Sequence, residues 1–385
     1  MGVRLSRRCA SVVQSEIRNM SIECDRIGGI NLSQGVCDMP VPEGLFDGAR
    51  GAMDRGLNTY TRYDGIAELR TAIAAKMKAH NGLDADPERE IVVSSGSTGS
   101  FYSACLALLD PGDEVILFEP FYGYHLNTLL SLGIAPAYVT MRGADWTFSK
   151  EELARAITPK TRAIVVNSPG NPSGKVFTRE ELGWIADAAQ KHDLIVLTDE
   201  IYEYFLYDGR AHVSPATLPG LRDRTVTISG LSKTFSITGW RIGYSVCRAD
   251  WAQMIGYMSD LVYVCAPAPL QAGVAKGLVS LGRDYYDGLR DEFAVKRTKI
   301  CDALTKAGLT PRVPQGAYYV LADVARLPGK TSKERAMSLL KSTGVACVPG
   351  EAFFHDPKDG NDLARFCFAK TDEELDEACR RLAKL

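Results

Sequence analysis

The apolar positions in the middle of this chain fall in short runs without clean alternation. The runs at 90–94, 114–118, 162–166, 194–198, 225–229 and 242–246 read as strands. Runs of this kind suit strands covered on both faces. Helical spacing fills the gaps at about 66–80, 99–109, 123–132, 178–192 and 251–264. Thr178-Arg-Glu-Glu181 has the form of a capping box, which marks a helix start. The two patterns in alternation predict an α/β architecture with a mostly parallel sheet between helices.

The texture changes near residue 285. A long helical pattern at 287–306 leads to short strands near 317–321 and 363–368, with helices near 332–343 and 372–384. This predicts a smaller α+β domain. The first 45 residues complete no strand–helix–strand unit, so they are expected to pack on the C-terminal part. The expected division is a large domain at 46–285 and a discontinuous small one formed by 1–45 with 286–385.

Composition narrows the class. A chain of 385 residues has room for two domains, and 45% hydrophobic with 24% charged residues is ordinary for a soluble protein. A net charge of -2 gives no general attraction to nucleic acid or to an acidic membrane surface. The stretch 261–280 is broken by Pro267 and Pro269 and carries Lys276, so no membrane span is expected there. Ten scattered cysteines form no CxxC pair and have no histidine cluster beside them. Neither a zinc site nor a disulfide framework is expected, and a reducing cytoplasm fits. Arg4, Arg7 and Arg8 are followed by no apolar core, so no signal peptide is expected. Met1-Gly-Val-Arg-Leu-Ser6 matches a loose N-acylation pattern, short enough to arise by chance.

Four motifs fall just beyond the carboxyl ends of expected strands, where open α/β sheets bind ligands. Ser94-Ser-Gly-Ser-Thr-Gly-Ser100 opens a helix, and Gly96, Ser97 and Thr98 could cradle a phosphate with backbone N–H groups. No Gly-Lys-Ser/Thr follows, so it is not a P-loop. Glu119-Pro-Phe-Tyr-Gly-Tyr124 offers an aromatic to stack on a planar ring. Asn167-Ser-Pro-Gly-Asn-Pro-Ser-Gly174 is a rigid turn whose two Asn side chains could hydrogen-bond a ligand oxygen. Leu194-Ile-Val-Leu-Thr-Asp-Glu-Ile-Tyr202 ends an apolar strand in Asp199. A buried carboxylate needs a partner, and a protonated pyridine nitrogen is one. Asp199-Glu200 could instead bind Mg²⁺, although no nucleotide loop supports that. Taken alone, the first motif reads better as a plain turn and the second as ordinary packing, and a structural turn competes with the ligand reading of the third.

A fifth segment decides between these readings. Ser229-Gly-Leu-Ser-Lys-Thr-Phe-Ser-Ile-Thr-Gly-Trp-Arg-Ile-Gly-Tyr244 sets Lys233 in a small-residue turn after a strand, with Arg241 eight residues on. A lysine of lowered pKa captures a carbonyl, and arginine suits a phosphate. An aldehyde that carries a phosphate points to pyridoxal phosphate.

With these residues in order, the chain resembles the class I/II aminotransferases, of the fold-type I pyridoxal-phosphate group, from about Asn31 to Phe368. The resemblance implies roles by position. Lys233 is the Schiff-base lysine and proton shuttle, and Asp199 the partner of the pyridinium nitrogen. Asn171 and Tyr202 serve the ring hydroxyl oxygen, and Tyr122 stacks on the ring. Gly96, Ser97, Thr98 and Arg241 hold the phosphate. Tyr60, in Tyr-Thr-Arg-Tyr-Asp-Gly65, reaches the phosphate of a neighbouring subunit, which implies a homodimer with shared sites. Arg365 clamps the substrate α-carboxylate, and Gly35 lays its backbone over the substrate. Many members have Ser or Thr three residues before the lysine, where this chain has Gly230; Ser229 or Ser232 could compensate.

The implied activity is amino transfer from an L-amino acid, with aspartate one option, to a 2-oxo acid such as 2-oxoglutarate, by ping-pong chemistry. A carbon–sulfur β-lyase would use the same residues and is the alternative. A non-catalytic sensor domain of a transcription regulator is disfavoured, since only about 30 residues precede Asn31. The entrance is expected along Val36-Cys-Asp-Met-Pro-Val-Pro42. Arg62, Arg26 and Lys175 are candidates, by sign only, for a second carboxylate.

Overall fold

The computed structural model describes residues 4–6, 8–9 and 14–385. The N-acylation pattern at 1–6 lies partly outside these residues, and Arg7 wholly so. All six expected strands form, and they join a seventh in one sheet. Across it the strands run Ile91–Ser95, Ile242–Val246, Thr225–Gly230, Ile195–Asp199, Thr161–Asn167, Glu114–Glu119 and Ala135–Thr140. Ile242–Val246 is antiparallel to both its neighbours, and every other pair is parallel. Val92, Ile116, Ile164, Val196 and Val226 are all buried, which explains the unbroken apolar runs.

The seventh strand, Ala135–Thr140, has no such run. It is an edge strand, half-exposed along most of its length, and it carries Pro136. Proline is tolerated there because the outer N–H groups pair with nothing. Ala268–Ser280 is a helix where the sequence suggested only an interrupted apolar stretch. Pro267 caps it and Pro269 sits in its first turn, where proline costs no hydrogen bond. Glu43–Asp54 also folds as a helix despite Gly44, Gly48 and Gly51. A Cβ at Gly48 would lie 2.9 Å from Gly273 Cα, so its glycine allows this helix to meet Ala268–Ser280 closely. The capping box forms as expected: Glu181 N donates to Thr178 Oγ1 at 3.1 Å, and Thr178 N to Glu181 Oε2 at 2.8 Å.

The C-terminal part builds a small antiparallel sheet, in the order Val348–Pro349, Leu363–Cys367, Tyr319–Asp323, Thr310–Arg312. The helices Arg283–Lys306, Ser332–Thr343 and Asp372–Leu382 accompany it. Ile30 and Asn31 pair in parallel with Val345 and Ala346, which ties the N-terminal segment to this part. The segment after Asp199 joins the two: Tyr202, Phe205 and Tyr207 share one buried core with Phe293, Tyr318 and Phe368. Among the described residues no helix is long and apolar enough to cross a membrane.

Candidate active site

Six strands of the large sheet end on one side, and the antiparallel Ile242–Val246 strand begins there. The loops at that edge line a cavity of about 460 Å³. Gly35, Ser97, Thr98, Tyr122, Asn171, Asp199, Tyr202, Lys233, Arg241 and Arg365 all face it. Ser97, Thr98, Tyr122, Asn171, Asp199, Lys233 and Arg241 lie at strand ends of the large sheet, whereas Gly35 comes from the N-terminal segment and Arg365 from the small sheet.

Gly96, Ser97 and Thr98 open the helix Gly96–Leu108, whose first N–H groups lack partners within the helix. Gly96 has φ of +72°, and a Cβ there would lie 2.3 Å from the Arg241 guanidinium. Arg241 itself is left-handed (φ 58°), donates from its side chain to the Thr238 carbonyl at 2.9 Å, and accepts from Gly96 N at 3.1 Å. A Cβ at Gly243 would strike Ser97 N at 2.3 Å, so this glycine also keeps the turn close to the sheet. Ser232 faces the cavity, whereas the Ser229 hydroxyl donates to Glu203 at 2.9 Å. Of the two residues that could compensate for Gly230, only Ser232 is on the site.

Asp199 ends its strand buried, and His125 Nε2 donates to Asp199 Oδ2 at 3.1 Å. The buried His125 ring is wedged between Phe101 and Tyr122. Sequence reading missed His125, because one histidine three residues after Tyr122 carries no pattern. Asn167 is a supporting residue: its amide donates to the Asp199 carbonyl at 3.1 Å, and its oxygen accepts from Asn171 N at 2.8 Å. Of the two Asn side chains of that turn, Asn171 is the better placed for a ligand. Tyr202 Oη lies 2.9 Å from Tyr319 Oη, and burial pushes the Tyr202 phenol well up. Tyr319, also on the cavity, was not singled out by sequence; it lies within a buried strand like any core aromatic.

Lys233 Nζ donates to the Gly35 carbonyl at 2.8 Å. Burial lowers the Lys233 pKa to about 8, and the charges of Arg241 and Arg365 act in the same direction. Arg365 is fully buried. It donates to Asn171 Oδ1 at 2.7 Å and to the Ser33 carbonyl, and its guanidinium stacks 4.4 Å from the Tyr319 ring centre. Its Nε has no hydrogen-bond partner, and no carboxylate among the described residues pairs with it. A buried guanidinium without a counter-ion is a site for a carboxylate.

Tyr60 is exposed and does not face this cavity. The three cations suggested for a second carboxylate are committed elsewhere. Arg62 pairs with Asp64 and Glu88, Arg26 with Glu23, and Lys175 with Glu181. None of them faces the cavity. Asp199 and Glu200 diverge: Glu200 accepts from His212 at 2.6 Å and from Ser214 at 2.8 Å, away from the cavity. Glu200, Glu203 and His212 offer ligand atoms within 4.8 Å of one another, but both carboxylates already accept from Asn81.

Comparison with known proteins places the chain in a family. The family model for aminotransferase class I and II matches residues 27–382. The chain is 36% identical to a probable N-succinyldiaminopimelate aminotransferase of Mycobacterium tuberculosis, over 100% of this chain and 98% of that one. It is 35% identical to aromatic-amino-acid aminotransferase 2 of Thermococcus litoralis, over 99% and 98%. The crystal structure of N-succinyldiaminopimelate aminotransferase from Mycobacterium tuberculosis superposes with a TM-score of 0.95 at 35% identity, covering 99% of this chain and 100% of that one. Thermus thermophilus aspartate aminotransferase with maleate superposes with a TM-score of 0.91 at 32% identity, with full coverage of both chains. The chain belongs to the class I and II aminotransferases, enzymes of fold type I that transfer amino groups.

Proposed function

We propose that this enzyme moves an amino group from an L-amino acid to a 2-oxo acid with pyridoxal phosphate, by ping-pong chemistry. The observation that carries the reading is the single cavity shared by a lysine of lowered pKa and a buried arginine without a counter-ion. One clamp for one α-carboxylate means that donor and acceptor use it in turn, which is the ping-pong order.

The residues fit the cofactor. The glycines Gly96 and Gly243 keep the Ser97–Arg241 turn compact, and its donors suit a phosphate. Ser97, Thr98, Ser232 and Arg241 would hold that group. Tyr122 would cover the ring, Asn171 and Tyr202 would bind its hydroxyl oxygen, and Asp199 would keep its nitrogen protonated. When bound, pyridoxal phosphate supplies the carbonyl that captures the amine and the ring that takes up the electron pair left at Cα. Lys233, as the neutral amine, removes the Cα proton and returns it one position away. Arg365 fixes the α-carboxylate so that the Cα–H bond faces Lys233. Gly35 holds the Lys233 amine through its carbonyl, and His125 orients Asp199.

The large part, 46–285, acts as the frame, and 1–45 with 286–385 act as the part that closes over the substrate. We read Tyr60 as a residue for the site of a second copy, hence a homodimer with shared sites; its exposure in a single chain supports this. Ten free cysteines support a cytoplasmic place of work.

The test is a set of single-turnover and steady-state assays on the cofactor-loaded protein. One 2-oxo acid per bound cofactor without an acceptor, and sustained turnover only with a second 2-oxo acid, is the expected result. Pyruvate and ammonia without an acceptor would establish the β-lyase instead. Lys233→Ala that still transfers amino groups at an appreciable rate would overturn the assignment of Lys233.

A further inference from the structure

We propose that Arg18 receives a second, distal carboxylate of the substrate, so that the enzyme acts on amino acids whose side chain ends in a carboxylate. This rests on the aminotransferase reading above and extends it to the substrate class.

Arg18 faces the same cavity as Lys233 and Arg365. It is exposed, and among the described residues its guanidinium has no ion pair and no hydrogen bond, while its backbone N–H donates to the Ser15 carbonyl. The charged residues around it are committed: Glu16 to Lys333 at 2.9 Å, and Arg26 to Glu23. The place of Arg18 in its helix is unfavourable. It lies in the first turn of Glu16–Arg26, at the positive end of the helix dipole, where acidic residues are preferred. A cation held there at a cost, unpaired and facing a cavity, has the character of a ligand-binding group.

A chain of contacts links Arg18 to Arg365. Arg365 donates to the Ser33 carbonyl, and Ser33 Oγ lies 3.3 Å from Ser21 Oγ. Ser21 is in the same helix as Arg18, three residues on, so the two share a face about 4.5 Å apart along the axis. Arg18 and Arg365 thus line one cavity and are linked through Ser33 and Ser21, with Arg18 three residues from Ser21 in its helix. Ile17 and Val36 also line the cavity, apolar groups suited to the methylene groups between two carboxylates. Among the described residues the only acidic side chain on the cavity is Asp199, already bonded to His125. A second carboxylate at Arg18 meets no like charge.

The cofactor-loaded enzyme is titrated calorimetrically with glutarate and with butyrate, and kcat/KM is measured for glutamate and for methionine. The wild type is expected to bind glutarate at least about tenfold more tightly than butyrate, and Arg18→Gln to remove that preference. The ratio of kcat/KM for glutamate over methionine is expected to fall about tenfold in Arg18→Gln, with Arg18→Lys recovering part of it. An unchanged ratio, no preference for glutarate in the wild type, or an equal loss for glutarate and butyrate would each overturn the proposal while amino transfer from methionine still stands. No amino transfer from either donor by the wild type would overturn the reading beneath it.

Discussion

His125 donates a hydrogen bond to Asp199 at 3.1 Å, and both side chains are buried. Asp199 holds the cofactor nitrogen in the proposed mechanism, so His125 sets the rotamer of that carboxylate and shares its charge. Phe101 and Tyr122 pack on the imidazole and fix its direction. His125→Phe keeps the ring packing and removes the hydrogen bond. A hydrogen bond to a charged group contributes about 1.5–3 kcal/mol, so kcat is expected to fall about 10- to 100-fold with the cofactor still bound. Steady-state kinetics together with the bound-cofactor spectrum check this. A kcat within twofold of the wild type would mean that Asp199 needs no support from His125.

The Lys233 amine has a pKa of about 8 because it is buried beside Arg241 and Arg365. Its neutral form is the one that attacks a carbonyl. Capture of pyridoxal phosphate by the cofactor-free protein is therefore expected to speed up with pH, with a midpoint near 8. The same shift acts on stability. An unfolded lysine keeps its proton to about pH 10.4, so above pH 8 the unfolded chain binds more protons than the folded one. The cofactor-free protein should gain stability as pH rises from there toward about 10.4, other groups aside. Stopped-flow mixing with the cofactor over pH 6.5–9.5 gives the midpoint. A rate still climbing steeply at the upper limit would show a lysine with its ordinary pKa.

The sheet and the motifs at its edge were legible because buried parallel strands write unbroken apolar runs, and residues after them line the cavity. Asp199, Asn171, Lys233 and Arg241 could be found in this way. His125, Tyr319 and Arg18 could not. Their surroundings come from the fold alone: a carboxylate at a strand end for His125, a buried guanidinium for Tyr319, the cavity wall for Arg18. The half-exposed Ala135–Thr140 strand and the proline-started Ala268–Ser280 helix were hidden for local reasons, since an edge strand and a helix start both admit residues that look like breakers. The Arg62, Arg26 and Lys175 suggestion failed because charge in a sequence does not show whether a partner has already neutralised it.

Gly35 is set against Tyr319. A Cβ at Gly35 would lie 1.9 Å from the Tyr319 hydroxyl, which is held by Tyr202 while the ring lies against Arg365. Gly35→Ala must move Tyr319, and Arg365 with it. Overpacking of this kind costs about 1–3 kcal/mol of stability. The expected result is a raised KM for every amino acid, because the proposed α-carboxylate clamp is displaced. Tyr319→Phe removes the nearest atom, so the double variant should recover part of the loss, a coupling that a double-mutant cycle measures. Additive losses would mean that the two residues do not collide.

Lys76 and Glu203 form a buried ion pair at 2.5 Å under the segment that carries Asp199 and Tyr202. Lys76 also donates to Asn81 and Tyr244, and Glu203 accepts from Asn81 and Ser229. Burial by itself would raise the Glu203 pKa, but the Lys76 charge overrides this and holds it at about 2. Lys76→Met leaves that carboxylate buried without its counter-ion, so a loss of about 3–5 kcal/mol is expected in urea denaturation near neutral pH. The pH dependence has a definite sign. In the wild type the depressed pKa of Glu203 gives stability that is present above the ordinary carboxylate range and is lost as pH falls toward 2. In Lys76→Met the Glu203 pKa rises instead, so protonation relieves the buried charge and the deficit should shrink as pH is lowered from 7 to 5. Lys76→Met with Glu203→Gln, which removes both charges, should regain most of the loss at pH 7. A deficit that does not change with pH, and that the second substitution fails to reduce, would show that Lys76 matters for packing and not as the counter-ion of Glu203.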